Sequence, residues 1–334
     1  MAKRKSGGLL GWWSGGKADT KVQPPRPQAM ETGLQVRYEL GGRFLTIPST
    51  GFFGPYAKSP NGRYVLAWRD GNAEGTVGGA RQSGHGRFLL MEDGVILAQG
   101  RAERPNDGKV ADNGVFIIND WRFNTGELSG TFLAYRADGS RILARPFAAN
   151  LFNNGLSADG RVAVCQTCNA PNPDGSRLTI FDLALGLETG SCVPESGWAS
   201  AYEFAADSGL VRLVHGDTGG FAYALDGAFT DRSRWIEAAL GRGDIYLVQR
   251  LLRDAGDTPS PELLAQLMRG LDQALAPAEL DPSHRALALK LRGSCQEALG
   301  AKAAALASYD QALVHDPKVG VKRRAELLRK DLFA

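Results

Sequence analysis

The residues with the most distinctive chemistry are two cysteines three positions apart, Cys165 and Cys168. Paired thiols at this spacing bind zinc or exchange with disulfides. A zinc site needs further ligands, and Cys192 and His215 are the candidates nearest in the sequence. A redox pair and structural thiols are the other interpretations. Because no second CxxC motif and no thioredoxin-like pattern accompany the pair, we favour structural thiols and expect neither metal nor cofactor.

A glycine-dense segment, residues 70–87, contains His85. Phosphate-binding loops place glycine amides before a Lys-Ser/Thr pair at the start of a helix. Here a predicted strand follows, and the sequence has no G-K-[ST] motif. The segment is therefore predicted to be a long loop between strands, from which His85 contacts a partner.

Motifs that would identify an enzyme are missing from the sequence. The chain has only 4 histidines, and it contains no H-E-x-x-H, no G-x-S-x-G and no dinucleotide-binding fingerprint. We therefore expect the protein not to be an enzyme.

Aromatic and charged residues in the predicted loops are better candidates for function. Asp120, Trp121 and Arg122 follow one apolar strand, and Glu195 and Trp198 precede another. Tryptophan and arginine are frequent anchors of protein interfaces. We predict that these five residues bind a partner, the alternative being that the tryptophans fill gaps between structural elements.

The composition indicates a folded protein with more than one domain. The chain has 334 residues, 43% hydrophobic and 22% charged, which is enough for buried cores and excludes wholesale disorder. Its 42 glycines exceed the average share of about 7% and indicate many tight turns. The formal net charge is +3, but residues 31–230 carry a net negative charge, which argues against nucleic acid as the main ligand.

Residues 1–30 are predicted to be a flexible basic leader, rich in Lys, Arg, Gly, Ser and Pro. Within it, Trp12 and Trp13 end a short apolar patch that contacts a partner or a membrane surface, or folds back on the protein. The patch is too short for a secretory signal, and no apolar run approaches the roughly 20 residues of a membrane-spanning helix. We therefore expect a cytoplasmic protein.

A turn followed by an apolar strand recurs through residues 31–230. The turns contain Gly62, Gly114, Gly160 and Gly209, and the sequence after the first and third reads R-Y-V and R-V-A. A second hairpin signal lies between successive copies, which gives four strands per repeat. The S-P-N-G-R-Y-V and S-A-D-G-R-V units resemble the repeat of TolB-type β-propellers. The resemblance implies a small propeller of four or five blades, regular or irregular, in which the hairpin at residues 33–48 starts a fifth blade or closes the ring.

The apolar period becomes helical after residue 230, and residues 231–334 are predicted to form an all-α domain. Residues 286–319 resemble a tetratricopeptide repeat, with Gly293, Ala305, Tyr309, Ala312 and Pro317 at the family's small, aromatic and proline positions. Arg292 and Gln296 depart from that pattern. The resemblance implies a helical pair in close contact, next to a more degenerate pair at residues 244–282.

Both resemblances favour a non-catalytic protein-binding scaffold. The most concrete expectation is a bacterial immunity or antitoxin-like protein that binds and blocks a toxin effector, because an acidic surface attracts a basic partner. An assembly factor for a secretion or envelope complex is one alternative. A propeller hydrolase or lyase acting on glycan or peptide is the other, and it predicts carboxylates or histidines meeting in a central pocket.

Overall fold

The computed structural model describes residues 34–39, 41–71, 78–79, 81, 84–122, 126, 128–205 and 208–333. The predicted basic leader, with Trp12 and Trp13, lies outside the described residues. Seventeen strands come first in this part of the chain and six helices follow, with the last strand ending at Ala224 and the first helix beginning at Arg232.

The strands form four antiparallel sheets in chain order. The first sheet contains β1 (Arg37–Glu39), β2 (Phe44–Ile47), β3 (Phe52–Lys58), β4 (Tyr64–Arg69), β5 (Gly86–Glu92) and β6 (Val95–Ala102). The second contains β7 (Arg104–Val110), β8 (Phe116–Trp121), β9 (Gly130–Tyr135) and β10 (Arg141–Phe147). The third contains β11 (Leu151–Leu156), β12 (Val162–Thr167), β13 (Leu178–Asp182) and β14 (Leu187–Cys192), and the fourth β15 (Ala201–Ala205), β16 (Leu210–Val214) and β17 (Gly220–Ala224).

The fourth sheet lacks a regular outer strand. In its place Phe229 forms an isolated bridge with Tyr223, and the Thr230 N–H donates to the Ala222 carbonyl at 3.1 Å. The linker to the first α-helix thus occupies the position of the fourth strand that a four-stranded repeat predicts.

The recurring polar turns link one sheet to the next. The Asn61 N–H donates to the Asp112 carboxylate at 2.7 Å, and the Asn113 amide donates to the Asp159 carbonyl at 2.7 Å. Gly62, with φ of 77°, adopts the left-handed conformation that its turn requires. The turn residues identified as a repeat therefore connect neighbouring sheets as well as reversing the chain.

Each pair of neighbouring sheets shares a buried apolar core. Leu66 and Phe116 belong to the core between the first and second sheets, and Phe132 and Phe181 to the next one. Ile180 and Leu213 belong to the core between the third and fourth sheets. Because both faces of the inner sheets are covered, their central strands, β8, β9, β12 and β13, are almost entirely buried, as in propeller blades.

The first and last sheets do not close a ring among the described residues. No strand pairing or core cluster joins them. Ala201, Glu203, Ala205 and Arg212 are exposed on the far face of the fourth sheet. The hairpin of β1 and β2 extends the first sheet and covers its outer face with Leu45 and Ile47, so the prediction that it closes the ring is wrong. The strands of the described residues form an irregular propeller-like arc.

The helices are α1 (Arg232–Gly241), α2 (Ile245–Asp254), α3 (Pro261–Leu275), α4 (Pro282–Ala298), α5 (Lys302–His315) and α6 (Lys322–Phe333). The side chains of Asp244, Ser260 and Asp281 accept N–H groups at the starts of α2, α3 and α4. Trp235 of α1 shares a core cluster with Phe221 of the fourth sheet, which attaches the helices to the end of the arc.

The helical pair α4 and α5 shows the packing that the tetratricopeptide resemblance implies. Gly293 lies so close to the ring of Tyr309 that a Cβ atom there would stand 2.4 Å from it. Ala305 and Ala312 are fully buried, and α5 ends at His315, just before Pro317. The small residues allow the two helices to approach closely.

Candidate functional site

Residues 193–200, which we call the joint segment, connect β14 of the third sheet to β15 of the fourth. Pro194 and Gly197 form a tight turn in which the Gly197 N–H donates to the Pro194 carbonyl at 2.9 Å. Gly197 has a φ of 87°, which favours glycine. Around this turn, Glu195 contacts the helices, Ser196 contacts the fourth sheet and Trp198 contacts the third sheet.

Glu195 connects the joint segment to the helices. Its carboxylate accepts two hydrogen bonds from Arg232 of α1, at 2.7 and 3.1 Å, and lies 3.6 Å from the Arg250 guanidinium of α2. The hydrogen bond to Glu195 raises the pKa of Arg232. In this structure Glu195, predicted to bind a partner, forms ion pairs within the chain.

Ser196 connects the joint segment to the fourth sheet through a chain of hydrogen bonds. The Ser196 Oγ lies 3.0 Å from the Tyr223 hydroxyl and 3.1 Å from His215 Nε2. His215 Nδ1 lies 3.1 Å from the Trp198 carbonyl. A carbonyl only accepts, so we assign the proton to Nδ1, and Nε2 accepts from Ser196. Burial lowers the pKa of His215, which favours this neutral form.

Trp198 connects the joint segment to the third sheet and leaves much of its ring exposed. Its indole N–H donates to the Thr167 carbonyl at 3.0 Å, and its ring lies 6.1 Å from the ring of Phe152 on β11. Trp198 is 48% exposed and Phe152 46% exposed. We call these two side chains the aromatic shelf. The position of Trp198 is fixed by three sets of contacts, which Glu195, Ser196 and Trp198 make within the eight residues of the joint segment.

Of the predicted site residues at the end of β8, Trp121 lies in the contact between the second and third sheets. The Trp121 indole N–H donates to the Leu151 carbonyl at 3.2 Å, and the Arg104 guanidinium lies 5.7 Å from the centre of its ring. The buried Asp120 carboxylate accepts the N–H groups of Glu103 and Arg104, at 3.1 and 2.7 Å. Arg122 follows with an exposed side chain. Among these residues, Arg122 has the most accessible side chain.

Asp120 makes the stability of the protein depend on pH. Burial raises the pKa of its carboxyl to about 6, despite the two N–H donors. The folded state then holds a proton that the unfolded chain releases, so stability falls as the pH rises from about 4 to about 6, by up to about 3 kcal/mol. Urea unfolding at pH 4 and pH 7 should show this fall in the wild type and a smaller fall in Asp120→Asn. Equal falls would contradict the assignment.

The residues considered as zinc ligands, Cys165, Cys168, Cys192 and His215, are not grouped into a metal site among the described residues. No group of three potential metal ligands occurs among the residues that the structure describes, and all four cysteines are free thiols. Cys165 is fully buried between the second and third sheets, 3.9 Å from the Asn119 side-chain oxygen. Burial raises the pKa of Cys165 and Cys168, and that of Cys192 to about 11. Thiols in this state are weak nucleophiles.

His85 lies directly before β5 with an exposed side chain. Much of the predicted glycine-rich loop, residues 72–77, 80 and 82–83, lies outside the described part of the chain. The described end of this loop is held by Arg81, whose guanidinium donates to the Asp70 carboxylate at 2.5 Å and to the Glu103 carbonyl at 2.9 Å. The loop is thereby attached to the connection between the first two sheets.

Sequence reasoning identified Glu195, Trp198 and His215 for separate roles, and the structure brings them together around the joint segment. It missed Phe152, Ser196 and Tyr223. The Ser-Gly pair inside the joint segment indicates only a turn. The contact between Ser196 and Tyr223 spans 27 residues and depends on how two sheets pack.

The chain has distant structural similarities to many solved structures, among them the following two. The chain is similar to the periplasmic gluconolactonase PpgL of Pseudomonas aeruginosa, with 15% identity and a TM-score of 0.33 over 54% of this chain and 59% of that one. It is also similar to the Cps50 (Swd1) β-propeller domain of Myceliophteria thermophila, with 13% identity and a TM-score of 0.32 over 58% of this chain and 67% of that one. The chain thus spans less than two thirds of the gluconolactonase.

No family model matches the sequence, and no curated protein matches it. None of the helices in the described ranges is long and apolar enough to cross a membrane. The order and packing of the four sheets define the class of protein, a propeller-like arc followed by a helical domain.

Proposed function

We propose that the protein is a non-catalytic protein-binding scaffold whose partner docks on the aromatic shelf. The observation that carries the proposal is that Phe152 and Trp198 are each about half exposed although the segment carrying Trp198 is fixed at three points. Aromatic side chains held in place before binding lose little entropy when a partner covers them. The TolB-type and tetratricopeptide resemblances of the sequence support the same class of function.

Within this class we propose an immunity-type protein that acts in the cytoplasm and blocks a toxin effector. The net negative charge of residues 31–230 supports a basic partner, since opposite charges accelerate association. An assembly factor for a secretion or envelope complex is the alternative. The toxin interpretation predicts that co-expression rescues growth of cells that make the effector, which an assembly factor would not do.

The proposal predicts a partner that is lost when the aromatic shelf is removed. The affinity-tagged full chain should retain one stoichiometric protein from its native cells at high salt, because an apolar contact resists screening. Trp198→Ala combined with Phe152→Ala should reduce the retained amount at least tenfold, since truncated interface anchors commonly cost about 2 kcal/mol or more. Quantitative mass spectrometry of the retained proteins gives the measurement.

The matched control for this experiment is Leu187→Ala, which removes another exposed apolar side chain of the third sheet, 45% exposed. It should leave the captured amount unchanged. Equal capture by the double variant and the wild type would contradict docking on the aromatic shelf.

A serine-dependent acyl transfer is the second candidate, favoured by the 3.1 Å contact between Ser196 Oγ and His215 Nε2. His215 would take the hydroxyl proton as Oγ attacks a carbonyl, and would give it to the leaving group as the bond between that group and the acyl carbon breaks. Two observations favour the scaffold instead. The Tyr223 hydroxyl also contacts Ser196 Oγ and accepts the Ser196 N–H, and the Pro194 carbonyl accepts the Gly197 N–H. These two N–H groups are therefore occupied and do not stabilise an oxyanion beside Ser196. Labelling by a fluorophosphonate probe that disappears in Ser196→Ala would establish the acyl-transfer candidate.

A further inference from the structure

A cavity of about 450 Å³ lies between the second and third sheets, lined in part by Val115, Arg136, Asp138, Ile142, Arg161 and Leu183. It is distinct from the aromatic shelf. Arg161 precedes β12, whereas Thr167, whose carbonyl binds Trp198, is the last residue of that strand. The cavity and the shelf therefore lie at opposite ends of the third sheet.

Two arginines of the cavity keep their hydrogen-bond donors available. Neither Arg136 nor Arg161 donates a side-chain hydrogen bond or forms an ion pair within the described ranges. The carboxylates beside them are engaged by turns: Asp138 accepts the Ser140 N–H at 2.8 Å, and Asp159 accepts the Arg161 N–H at 3.0 Å. These turn contacts, with the arginines nearby, lower the pKa of both carboxyls.

The equivalent arginine of the first sheet, unlike Arg161 of the third sheet, has a carboxylate partner. Arg63 occupies the same place in the first repeat, and its guanidinium forms an ion pair with Glu92. The corresponding acidic residue of the third sheet is Asp182. Glu92 pairs across the first sheet with Tyr64, the residue after Arg63, and Asp182 pairs across the third sheet with Val162, the residue after Arg161. The Asp182 carboxylate accepts the Leu185 N–H at 2.9 Å instead, and Arg161 is left for a ligand.

The walls of the cavity restrict the ligand further. Leu183 is buried, and Val115 and Ile142 are half-buried, so the cavity offers an apolar wall beside two guanidinium groups. Guanidinium groups bind carboxylates with two parallel hydrogen bonds. An inorganic anion would use the arginines and leave the apolar wall uncovered. A carboxylate next to an aliphatic or aromatic side chain would use both.

We propose that this cavity binds an acidic peptide segment in which Asp or Glu neighbours a large apolar residue. The carboxylate pairs with Arg136 and Arg161, and the apolar side chain lies against Ile142 and Val115. This binding site is separate from the aromatic shelf and does not depend on the function proposed there.

A phage-displayed library of random heptapeptides, selected on the full chain, tests the proposal. We expect enrichment of peptides that carry Asp or Glu beside Leu, Ile, Phe or Trp. A fluorescein-labelled synthetic peptide of the enriched sequence then measures affinity by anisotropy. Arg161→Gln and Arg136→Gln should each weaken its binding about tenfold or more, as charge-assisted hydrogen bonds are lost. Higher salt should weaken it further.

Arg63→Gln is the matched control, because it removes the equivalent arginine where a carboxylate already pairs with it. It should bind the peptide like the wild type, and so should the double variant of the aromatic shelf. Circular dichroism melting of Arg161→Gln should match the wild type, since Arg161 is exposed and unpaired in the described structure. Peptides without acidic residues, or unchanged affinity in Arg161→Gln, would overturn the proposal. Inorganic phosphate binding without any enriched peptide would also overturn it.

Discussion

Replacing Phe181 by alanine is expected to lower the free energy of unfolding by about 3–5 kcal/mol. Phe181 is 1% exposed, and its ring stacks on Phe132 of the second sheet with 4.6 Å between ring centres. The substitution leaves a cavity where the second and third sheets meet and removes an aromatic pair that spans them. Urea unfolding followed by tryptophan fluorescence measures the change.

The control for this prediction is a phenylalanine that is not in such a core. Phe53 is 46% exposed and, within the described part of the chain, stacks on Phe44 of the neighbouring strand. Phe53→Ala should cost no more than about 1 kcal/mol. If the two substitutions had the same cost, the sheets would not be held together by the core to which Phe181 belongs.

Replacing Gly293 by alanine is expected to destabilise the helical domain, by about 1–3 kcal/mol. Helix propensity alone predicts the opposite sign, because alanine is favoured over glycine in a helix by about 1 kcal/mol. The new methyl group would stand 2.4 Å from the Tyr309 ring. That ring is buried and its hydroxyl donates to the Glu297 carboxylate at 3.1 Å, so it cannot move aside without losing contacts. Thermal unfolding monitored at 222 nm measures the change.

Gly241→Ala provides the matched comparison, since a Cβ atom there would meet nothing within 4 Å. This variant should be as stable as the wild type or slightly more stable. If Gly293→Ala were also stabilising, the close approach of α4 and α5 would be refuted, and with it the packing that the tetratricopeptide resemblance implies.

The sequence predicted the local structure well because local chemistry determines it. The apolar period predicted an all-α domain from residue 231, and the first helix, α1, begins at Arg232. The next two helices, α2 and α3, each begin after a capping residue, Asp244 or Ser260. The polar turns predicted where the chain reverses between two strands of one sheet. Gly62 lies between β3 and β4 and Gly160 between β11 and β12, and both have the positive φ that those turns require.

The open arc could not be predicted from the sequence. The strand β15 reads Ala-Tyr-Glu-Phe-Ala, and this alternation indicates one covered face and one exposed face. It does not reveal that the exposed face is the one a closed ring would bury. The hairpin of β1 and β2 carries apolar residues that would suit either end of the arc, and only its pairing with β3 shows which end it covers.

The candidate site was predicted in part. Trp198 was identified because a tryptophan in a predicted loop favours an interface. Phe152 lies in a strand of mixed polarity, and nothing in the pattern shows that its side chain is exposed. Arg161 was recognised only as part of a repeated turn. The Arg161 guanidinium lacks an ion pair because Asp182 accepts the Leu185 N–H, whereas Glu92 pairs with Arg63 in the first sheet. This difference depends on side-chain geometry.

If the aromatic shelf is a protein-binding surface, site-specific photocrosslinking should capture the protein that binds there. A benzoylphenylalanine placed at position 198 in the full chain is irradiated in native cells, and the same residue at position 187 serves as the reference. We predict a covalent adduct with one protein from position 198 and none from position 187. Adducts of equal yield from both positions would contradict protein binding at the aromatic shelf. The absence of an adduct from position 198, together with fluorophosphonate labelling of Ser196, would also contradict it.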